Sequence, residues 1–290
     1  MKLTIFGAGN YGRNYINLCS SNDEIVAIAD NYCDLPFILG HKVIKPGDIL
    51  NYEYDKIVIC LMDDTMQRQQ IIESIYEQLI SLGVPRKKII LNNIREISNK
   101  MFGPRSTFMK NIAKQINTID GTVAECGVFR GNFAALINEL FPTKHLHLFD
   151  TFCGFDERDI IIESEKAKTW LFTAGGKDGH VLGSELLTLL RCPNYEMVKI
   201  HKGYVPDTFA GLDNEKYCFV NLDMDLYAPT LSALLYFASR INPGGIILLH
   251  DYYCKDMPGI KKAVDEAKRM LEGFISFPIG DGYSLVLMKT

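Results

Sequence analysis

The stretch GTVAECGVFRGNFAALINEL, residues 121–140, indicates the fold of the larger part of this 290-residue chain. It opens with a short apolar run that carries Glu125 near its end, which is typical of a buried strand. A turn with Gly127 and Gly131 follows, and then a segment with the apolar spacing of a helix. A strand, a glycine turn and a helix in this order begin a parallel, doubly wound sheet.

Strands and helices continue to alternate after this unit. The segments that we interpret as further parallel strands are HLHLFD, EMVKIHKG, YCFVNLDMD and IILLHD. The last two segments, FISFPI and YSLVLMK, are joined by GDG, which is a hairpin signal. Five parallel strands followed by an antiparallel hairpin are the layout of a class I SAM methyltransferase fold.

The start of the chain repeats the architecture on a smaller scale. LTIFG predicts a strand, GAGNYG a turn and the following residues a helix, while EIVAIAD and DKIVICL predict further strands. We therefore expect an α/β chain of two Rossmann-like units. Residues 1–97 would form a nucleotide-binding module, residues 98–107 a polar linker, and residues 108–290 the methyltransferase domain.

Composition excludes several classes of protein. With 31 basic and 35 acidic residues, the net charge of -4 gives no reason to expect nucleic acid or an anionic membrane as a partner. No apolar run approaches the roughly 18 residues of a spanning helix, and the N-terminus does not resemble a signal peptide. The eight cysteines show no CxxC pair, which argues against disulfides or zinc. We expect a cytoplasmic protein without membrane insertion.

The turn GAGNYG carries the pattern G-x-G-x-x-G in Gly7, Gly9 and Gly12. Such glycines let the backbone approach a phosphate at a helix N-terminus, and an acid at the end of the next strand, here Asp30, can bind ribose hydroxyls. The pattern predicts a nucleotide site. The alternative is a tight strand-to-helix turn that no longer binds a ligand.

The second turn, ECGVFRG, has the pattern E-x-G-x-x-x-G in Glu125, Gly127 and Gly131. We predict S-adenosylmethionine (SAM) as its ligand, with Gly127 allowing the backbone to approach the methionine part. Asp150, at the end of the next strand, would accept hydrogen bonds from the ribose hydroxyls, with Thr151 beside it. The alternative is a second empty turn.

Carboxylates follow the next two strands. FVNLDMDLYAPT places Asp223 and Asp225 after one strand, and Asp251 ends its neighbour. Because the carboxyl ends of parallel strands meet at one edge, Asp223 and Asp251 would face each other. Such oxygens suit Mg²⁺, which could fix two oxygens of a vicinal diol and lower the pKa of one hydroxyl.

Structural roles compete with this interpretation. Asp225 can cap the helix expected to begin near Thr230, or the loop can turn it away from Asp223. Asp251 can cap the helix that begins near Pro258. His250 can be a core histidine whose nitrogens are satisfied locally.

Six ordered motifs are similar to those of the TylF/MycF-type sugar O-methyltransferases, the macrocin O-methyltransferase family. They are TVAECGVFRGNFAALI, LFDTFCGFDE, HKGYVPDTF, VNLDMDLYAPTLSAL, INPGGIILLHDYY and GIKKAVDEA. The resemblance runs from about residue 108 to the end. It implies that SAM and a divalent metal, usually Mg²⁺, serve to methylate a sugar hydroxyl. The N-terminal stretch resembles the Rossmann-like modules, written FGAGxxGxxY, of bacterial surface-polysaccharide enzymes.

The resemblance also implies roles for individual residues. SAM contacts would come from Glu125, Gly127 and Asp150. Asp223 corresponds to a metal ligand that also serves as general base. The family usually ends the next strand with two aspartates, whereas this chain has His250 and Asp251. His250 would act as a nitrogen ligand or a base, or would mark an altered metal dependence. A histidine ligand favours Mn²⁺, Fe²⁺ or Zn²⁺ over Mg²⁺.

The expected function is metal-assisted methyl transfer from SAM to a sugar-containing small molecule by a homo-oligomeric enzyme. One rival is an NAD(P)-dependent sugar oxidoreductase or epimerase run by residues 1–97, which a catalytic Tyr-x-x-x-Lys would favour. Tyr52 and Lys56 have that spacing, and Lys56 lies in the predicted strand DKIVICL. The other is a non-catalytic sensor that binds nucleotide and SAM. Residues 156–196, with Trp170, would form an insertion on the acceptor side.

Overall fold

The computed structural model describes residues 1–19, 21–92, 103–163, 168 and 183–290. The helices in these ranges are α1 Asn10–Leu18, α2 Met66–Ser81, α3 Gly103–Ile116, α4 Asn132–Leu140, α5 Glu157–Ile162, α6 Glu185–Arg191, α7 Tyr227–Ala238 and α8 Pro258–Glu266. The strands are β1 Lys2–Phe6, β2 Glu24–Ala29, β3 Phe37–Ile38, β4 His41–Ile44, β5 Lys56–Ile59, β6 Ile89–Leu91, β7 Thr122–Cys126, β8 Leu146–Asp150, β9 Val198–Lys202, β10 Tyr217–Leu222, β11 Ile241–Leu249, β12 Phe274–Pro278 and β13 Leu285–Lys289.

The chain divides into two compact units. Unit 1 comprises Met1–Met101 and Leu186–Tyr195, and unit 2 comprises Phe102–Glu185 and Glu196–Thr290. The assignment of residues 1–97 to a nucleotide-binding module and of residues 108–290 to a methyltransferase domain stays a prediction.

Unit 1 is built on one sheet with the strand order β3-β4-β2-β1-β5-β6. All neighbouring strands run parallel except β3 and β4, which form an antiparallel pair. Leu187 and Leu190 of α6 are fully buried in the apolar core of this unit. A short segment that follows the second glycine turn in sequence therefore completes the core of the N-terminal unit.

Unit 2 has the sheet order β12-β13-β11-β10-β7-β8-β9. Strands β7 to β11 pair in parallel, and β12 and β13 form the antiparallel hairpin that pairs with β11. This arrangement confirms the predicted α/β class with a C-terminal antiparallel hairpin. The central strands β7 and β10 are buried almost throughout, as the apolar runs in the sequence indicate.

Strand register aligns the candidate site. Cys126 pairs with Phe149 and Leu222, and Leu222 pairs with Leu249, so that four strands end nearly level. The next residue of each strand lies one step beyond this row. Those residues are Gly127, Asp150, Asp223 and His250. The backbone continues the ladder there, since the amides of these turns donate to carbonyls of the row.

The last five residues of the predicted linker are helical. Residues 103–107 form the beginning of α3, in which Arg105, Ser106 and Met109 are buried. Pro104 suits the first turn of a helix, where its missing N–H leaves no bond unmade. The remainder of the predicted linker, residues 98–102, lies outside the described residues, as do residues 164–167 and 169–182 of the predicted insertion, which include Trp170.

None of the helices in the described ranges combines the length and the apolar character that a bilayer crossing requires.

A histidine occupies the core of unit 2. His147 of β8 is fully buried, and its Nδ1 lies 3.0 Å from Nε2 of His201 on β9. The two rings are parallel with centroids 5.1 Å apart, and Phe149 stacks on His201. Burial, followed by the neighbouring His201, lowers the pKa of His147 to about 3. His147 is therefore neutral in the folded protein at neutral pH.

This histidine should make the protein sensitive to acid. In the unfolded chain, His147 has a pKa of about 6.5 and is protonated below that pH. In the folded protein, it stays neutral until the pH approaches its lowered pKa, so protonation favours the unfolded chain. The free energy of unfolding should therefore fall by about 2–3 kcal/mol from this group between pH 7 and pH 4.5. Urea unfolding at both pH values should show a smaller loss in His147→Phe than in wild type. His145→Phe, at an exposed site, is the matched control, and an unchanged loss in His147→Phe would refute the assignment.

Candidate active site

A cluster of ionisable groups lies where β10 and β11 end. Nδ1 of His250 is 2.9 Å from Oδ1 of Asp223 and 2.8 Å from Oδ2 of Asp251. One ligand atom from each residue lies within 4.8 Å of the other two. Asp251 is buried, whereas Asp223 and His250 are partly exposed. The structure thus brings together the three residues that the sequence assigned to a metal.

Arg105 of α3 is a member of this cluster that the sequence interpretation missed. Its two terminal nitrogens donate to Oδ2 of Asp223 at 3.1 and 3.2 Å, and one of them also donates to Oδ1 of Asn221 at 3.1 Å. The guanidinium lies 4.3 Å from the ring centroid of Phe133. One signal was available: Arg105 has the i, i+4 spacing to Met109 that places it on the buried face of the helix.

These contacts fix the charges of the cluster. Burial alone would raise the pKa of Asp223, but His250 and Arg105 outweigh it and lower that pKa below its usual range. Burial alone would lower the pKa of His250, but Asp223 and Asp251 outweigh it and raise that pKa to about 10. Without a bound ligand, an imidazolium and a guanidinium therefore hold an ionised Asp223 between them.

Asp225 lies against the same cluster. Burial, followed by the charges of Asp223 and Asp251 and a hydrogen bond with Asp251, raises the pKa of Asp225 well above its usual value. Its backbone is left-handed, with φ of 62°, as is that of Asp251 at 58°. The loop therefore turns Asp225 toward the cluster, so the expectation that it points elsewhere is wrong.

The capping alternatives are also wrong. The N-cap of α7 is Leu226 and that of α8 is Met257, and neither helix has a side-chain cap at this position. Asp225 and Asp251 are each turned into the cluster by their left-handed backbone instead. His250 is not a locally satisfied core histidine, since it is partly exposed and ion-paired.

The glycine turn after β7 packs directly on this cluster. Gly127 has φ of +82°, and a Cβ added to it would lie 1.9 Å from the carbonyl oxygen of Asp223. Only glycine allows the two backbones to come so close. Gly131, also left-handed with φ of 75°, is the N-cap of α4. The predicted cofactor turn and the predicted metal ligand are therefore in backbone contact.

Asp150 and Thr151 brace the turns beside this contact. Oδ2 of Asp150 accepts hydrogen bonds from the amides of Val128 and Phe129 at 2.6 and 2.8 Å, and Oδ1 accepts one from Phe152 at 2.7 Å. The hydroxyl of Thr151 donates to the carbonyl oxygen of Gly154 at 2.6 Å. The Asp150 carboxylate thus shapes the glycine turn, and its remaining lone pair is the one that a ribose hydroxyl would use.

Glu125 is the acid buried beneath this turn. Oε1 accepts a hydrogen bond from the amide of Asn221 at 3.0 Å. Oε2 is buried and has no hydrogen-bond partner in the ranges that the structure describes. Burial, followed by the charge of Asp223, raises the pKa of Glu125. A buried oxygen without a hydrogen-bond donor is unfavourable, and the amino group of SAM would supply a donor at this cofactor turn.

The glycine turn of unit 1 has packing reasons for two of its three glycines. A Cβ on Gly12 would lie 1.9 Å from the carbonyl oxygen of Gly7, and a Cβ on Gly7 would lie 2.9 Å from that of Cys60. A Cβ on Gly9 would meet nothing within 4 Å. The open side of Gly9, the N-cap of α1, is where a ligand would approach the turn.

Asp30 accepts hydrogen bonds from the backbone of its glycine turn, as Asp150 does in unit 2. Its Oδ2 accepts a hydrogen bond from the amide of Ala8 at 2.8 Å. Its Oδ1 accepts from the amides of Tyr32 and Cys33 at 2.8 and 2.9 Å. The carboxylate thus uses one amide of the turn that a phosphate would otherwise bind, although Asp30 lies where the sequence places a ribose ligand.

The donor set of the Asp223, His250 and Asp251 cluster fits a divalent cation. Two carboxylate oxygens and one imidazole nitrogen converge within 4.8 Å, a mixed set that Mn²⁺, Fe²⁺ or Zn²⁺ accept more readily than Mg²⁺. Binding would require His250 to lose its proton, because only the neutral imidazole can be a ligand.

Fold and site together define a class I methyltransferase, with a glycine turn and a carboxylate cluster at the carboxyl edge of the sheet. The sequence model of the TylF macrocin-O-methyltransferase family matches residues 96–272, and the chain belongs to this family. It is therefore a SAM-dependent O-methyltransferase. Residues 1–90 match a second family, described as C2185-like, N-terminal.

Solved structures agree with this fold. The O-methyltransferase NovP is similar with a TM-score of 0.54 and 20% identity, over 64% of this chain and 80% of that one. The calicheamicin methyltransferase CalS11 is similar with a TM-score of 0.50 and 18% identity, over 79% of this chain and 95% of that one. No curated protein matches the sequence.

Proposed function

We propose that unit 2 transfers the methyl group of SAM to a hydroxyl of a sugar in a small-molecule acceptor. The observation that carries this proposal is the backbone contact between Gly127 and Asp223, which joins a cofactor turn to a carboxylate cluster. Methyl transfer to an alcohol needs both, a place for the sulfonium donor and a group that takes the hydroxyl proton. The sugar acceptor rests on the resemblance to the TylF-type enzymes.

On the cofactor side, we assign the amino group of SAM to Oε2 of Glu125, which lacks a partner among the described residues. Gly127 and Gly131 have no side chains, so the methionine part of SAM can approach the backbone of the turn. A ribose hydroxyl would bind the remaining lone pair of Asp150, with Thr151 fixing the following turn.

On the acceptor side, Asp223, Asp251 and His250 would hold a divalent cation. The sequence favours Mg²⁺ by family resemblance, whereas the imidazole favours a softer ion such as Mn²⁺. When bound, the cation would supply Lewis acidity toward the oxygens of the acceptor.

The proton of the acceptor hydroxyl goes to a carboxylate of the cluster. Both oxygens of Asp223 already accept hydrogen bonds, from Arg105 and His250, and its lowered pKa makes it a weak base. Asp225 lies against the same cluster and can accept the proton only in its ionised form, so we propose that one of these two aspartates is the base. The C–S bond of SAM breaks as the new O–C bond forms, and S-adenosylhomocysteine (SAH) leaves neutral at sulfur.

In unit 1, the open side of Gly9 supports a nucleotide ligand, although Asp30 uses the amide of Ala8 itself. A homo-oligomer and a cytoplasmic location also stay predictions. They follow from chain size and composition alone.

The direct test is product analysis. The protein is incubated with SAM, Mn²⁺ or Mg²⁺ and a panel of nucleotide sugars and methyl glycosides, and SAH and the acceptor are followed by mass spectrometry. We expect SAH to accumulate together with an acceptor heavier by one methylene. SAM bound without SAH formation across the panel would favour the sensor, and reduction of NAD(P)⁺ by the same sugars would favour the oxidoreductase.

A further inference from the structure

A buried polar chain connects the two halves of the proposed site. Oε1 of Glu125 accepts from the amide of Asn221, and Oδ1 of Asn221 accepts from Arg105. Arg105 in turn donates to Oδ2 of Asp223, whose Oδ1 pairs with His250. One end of this chain is the orphaned oxygen of Glu125, and the other is the candidate cation cluster.

The hydrogen bonds of this polar chain can be arranged in only one way, with each donor and acceptor fixed. A guanidinium can only donate, so the side-chain amide of Asn221 must turn its oxygen to Arg105, which leaves its nitrogen to donate to Glu125. Asn221 is fully buried and Arg105 nearly so, which leaves water little access to replace either partner. A change in the position of Glu125 is therefore passed on to Asp223 by hydrogen bonds whose donors and acceptors cannot be exchanged.

We propose that Arg105 and Asn221 are positioning residues that couple cofactor binding at Glu125 to cation binding at Asp223. This inference rests on the proposed function, because it takes SAM and a divalent cation as the two ligands. Either ligand alone fixes the position of one end of this network, Glu125 or Asp223, and the hydrogen bonds pass that position on to the other end. The second ligand then binds a site that is already positioned, which gives positive cooperativity.

The coupling can be measured without turnover. The affinity for SAH is determined by isothermal titration with and without saturating Mn²⁺, and the affinity for Mn²⁺ by electron paramagnetic resonance with and without SAH. In wild type, we expect each ligand to tighten the other by the same factor, about fivefold or more.

Three variants locate the coupling. Asn221→Leu removes both hydrogen bonds of the side-chain amide at nearly constant volume and should reduce the coupling factor to about one. Arg105→Lys should reduce the coupling factor in part, since it keeps the charge but not the paired geometry. The control is Asn92→Leu, which removes an equally buried amide from unit 1 and should leave the factor unchanged. If Asn221→Leu does not fold, Arg105→Lys carries the test.

The outcomes separate this inference from the proposed function. If SAH and Mn²⁺ both bind wild type but independently of each other, the coupling is overturned and the methyltransferase site stands. The coupling is also overturned if the factor survives in the folded network variants. Failure of SAH or Mn²⁺ to bind at all would overturn the coupling together with the corresponding half of the proposed site.

Discussion

Asp223→Asn is expected to reduce kcat/KM for methyl transfer by a factor of about a thousand or more, while SAH affinity measured without added metal stays close to that of wild type. Asparagine keeps the shape of the side chain but lacks the negative charge that pairs with Arg105 and His250. The positively charged Arg105 and His250 then face a neutral amide. With one carboxylate fewer, the affinity of the cluster for a divalent cation falls. Glu125 and the glycine turn keep their own contacts.

Several measurements distinguish this result from general damage. Asp213→Asn removes a carboxylate of the same unit that is 80% exposed, and it should leave turnover unchanged. The removal of one partner from a buried ion pair typically costs about 3–5 kcal/mol. The variant should therefore be compared with wild type at a temperature where both are folded, as monitored by circular dichroism. Turnover within a factor of a few of wild type would contradict the role of Asp223.

Asp225→Asn tests the choice of base only after this result is known. The two aspartates differ in environment, since both oxygens of Asp223 are occupied whereas Asp225 has a raised pKa. Mn²⁺ affinity separates their roles. Loss of Mn²⁺ binding identifies a ligand, and loss of turnover with Mn²⁺ binding retained identifies a proton acceptor.

The sequence predicted the edge of the sheet at which the site lies. Glu125, Asp150, Asp223 and Asp251 each stand at or just beyond the end of an apolar run, and parallel strands bring such ends together. Apolar periodicity is a local property that sets strand length, so it also predicts where each strand stops. In agreement with this prediction, the four strands paired in the row of Cys126 end nearly level.

The contacts within the site could not be predicted in the same way. Arg105 and Asp223 are separated by 118 positions, and no local pattern records which cation meets which carboxylate. The direction of Asp225 depends on a left-handed backbone at a residue other than glycine, which the sequence does not announce. Without φ, a helix cap and a site residue look alike. The interpretation of Asp225 was therefore wrong about the direction of its side chain.

Gly127→Ala should be the most damaging small substitution in unit 2. Its φ of +82° costs an L-residue about 1–2 kcal/mol, as at any left-handed position. In addition, the new methyl group would lie 1.9 Å from the carbonyl oxygen of Asp223, a contact that only backbone movement can relieve. We expect this overpacking to cost a further 2–3 kcal/mol or more, roughly. Because the displaced backbone carries Asp223, SAH binding and turnover should both be lost.

Gly211→Ala provides a control with the same backbone strain. Gly211 also has φ of +82°, but a Cβ added there meets nothing within 4 Å. The two variants therefore differ in the clash alone, and the difference between their free energies of unfolding in urea measures it. We expect Gly211→Ala to lose only the cost of the left-handed backbone and to retain SAH binding. Equal losses of stability in the two variants, with SAH binding intact in both, would show that Gly127 does not need to lie against Asp223. The contact on which the proposed function rests would then be unsupported.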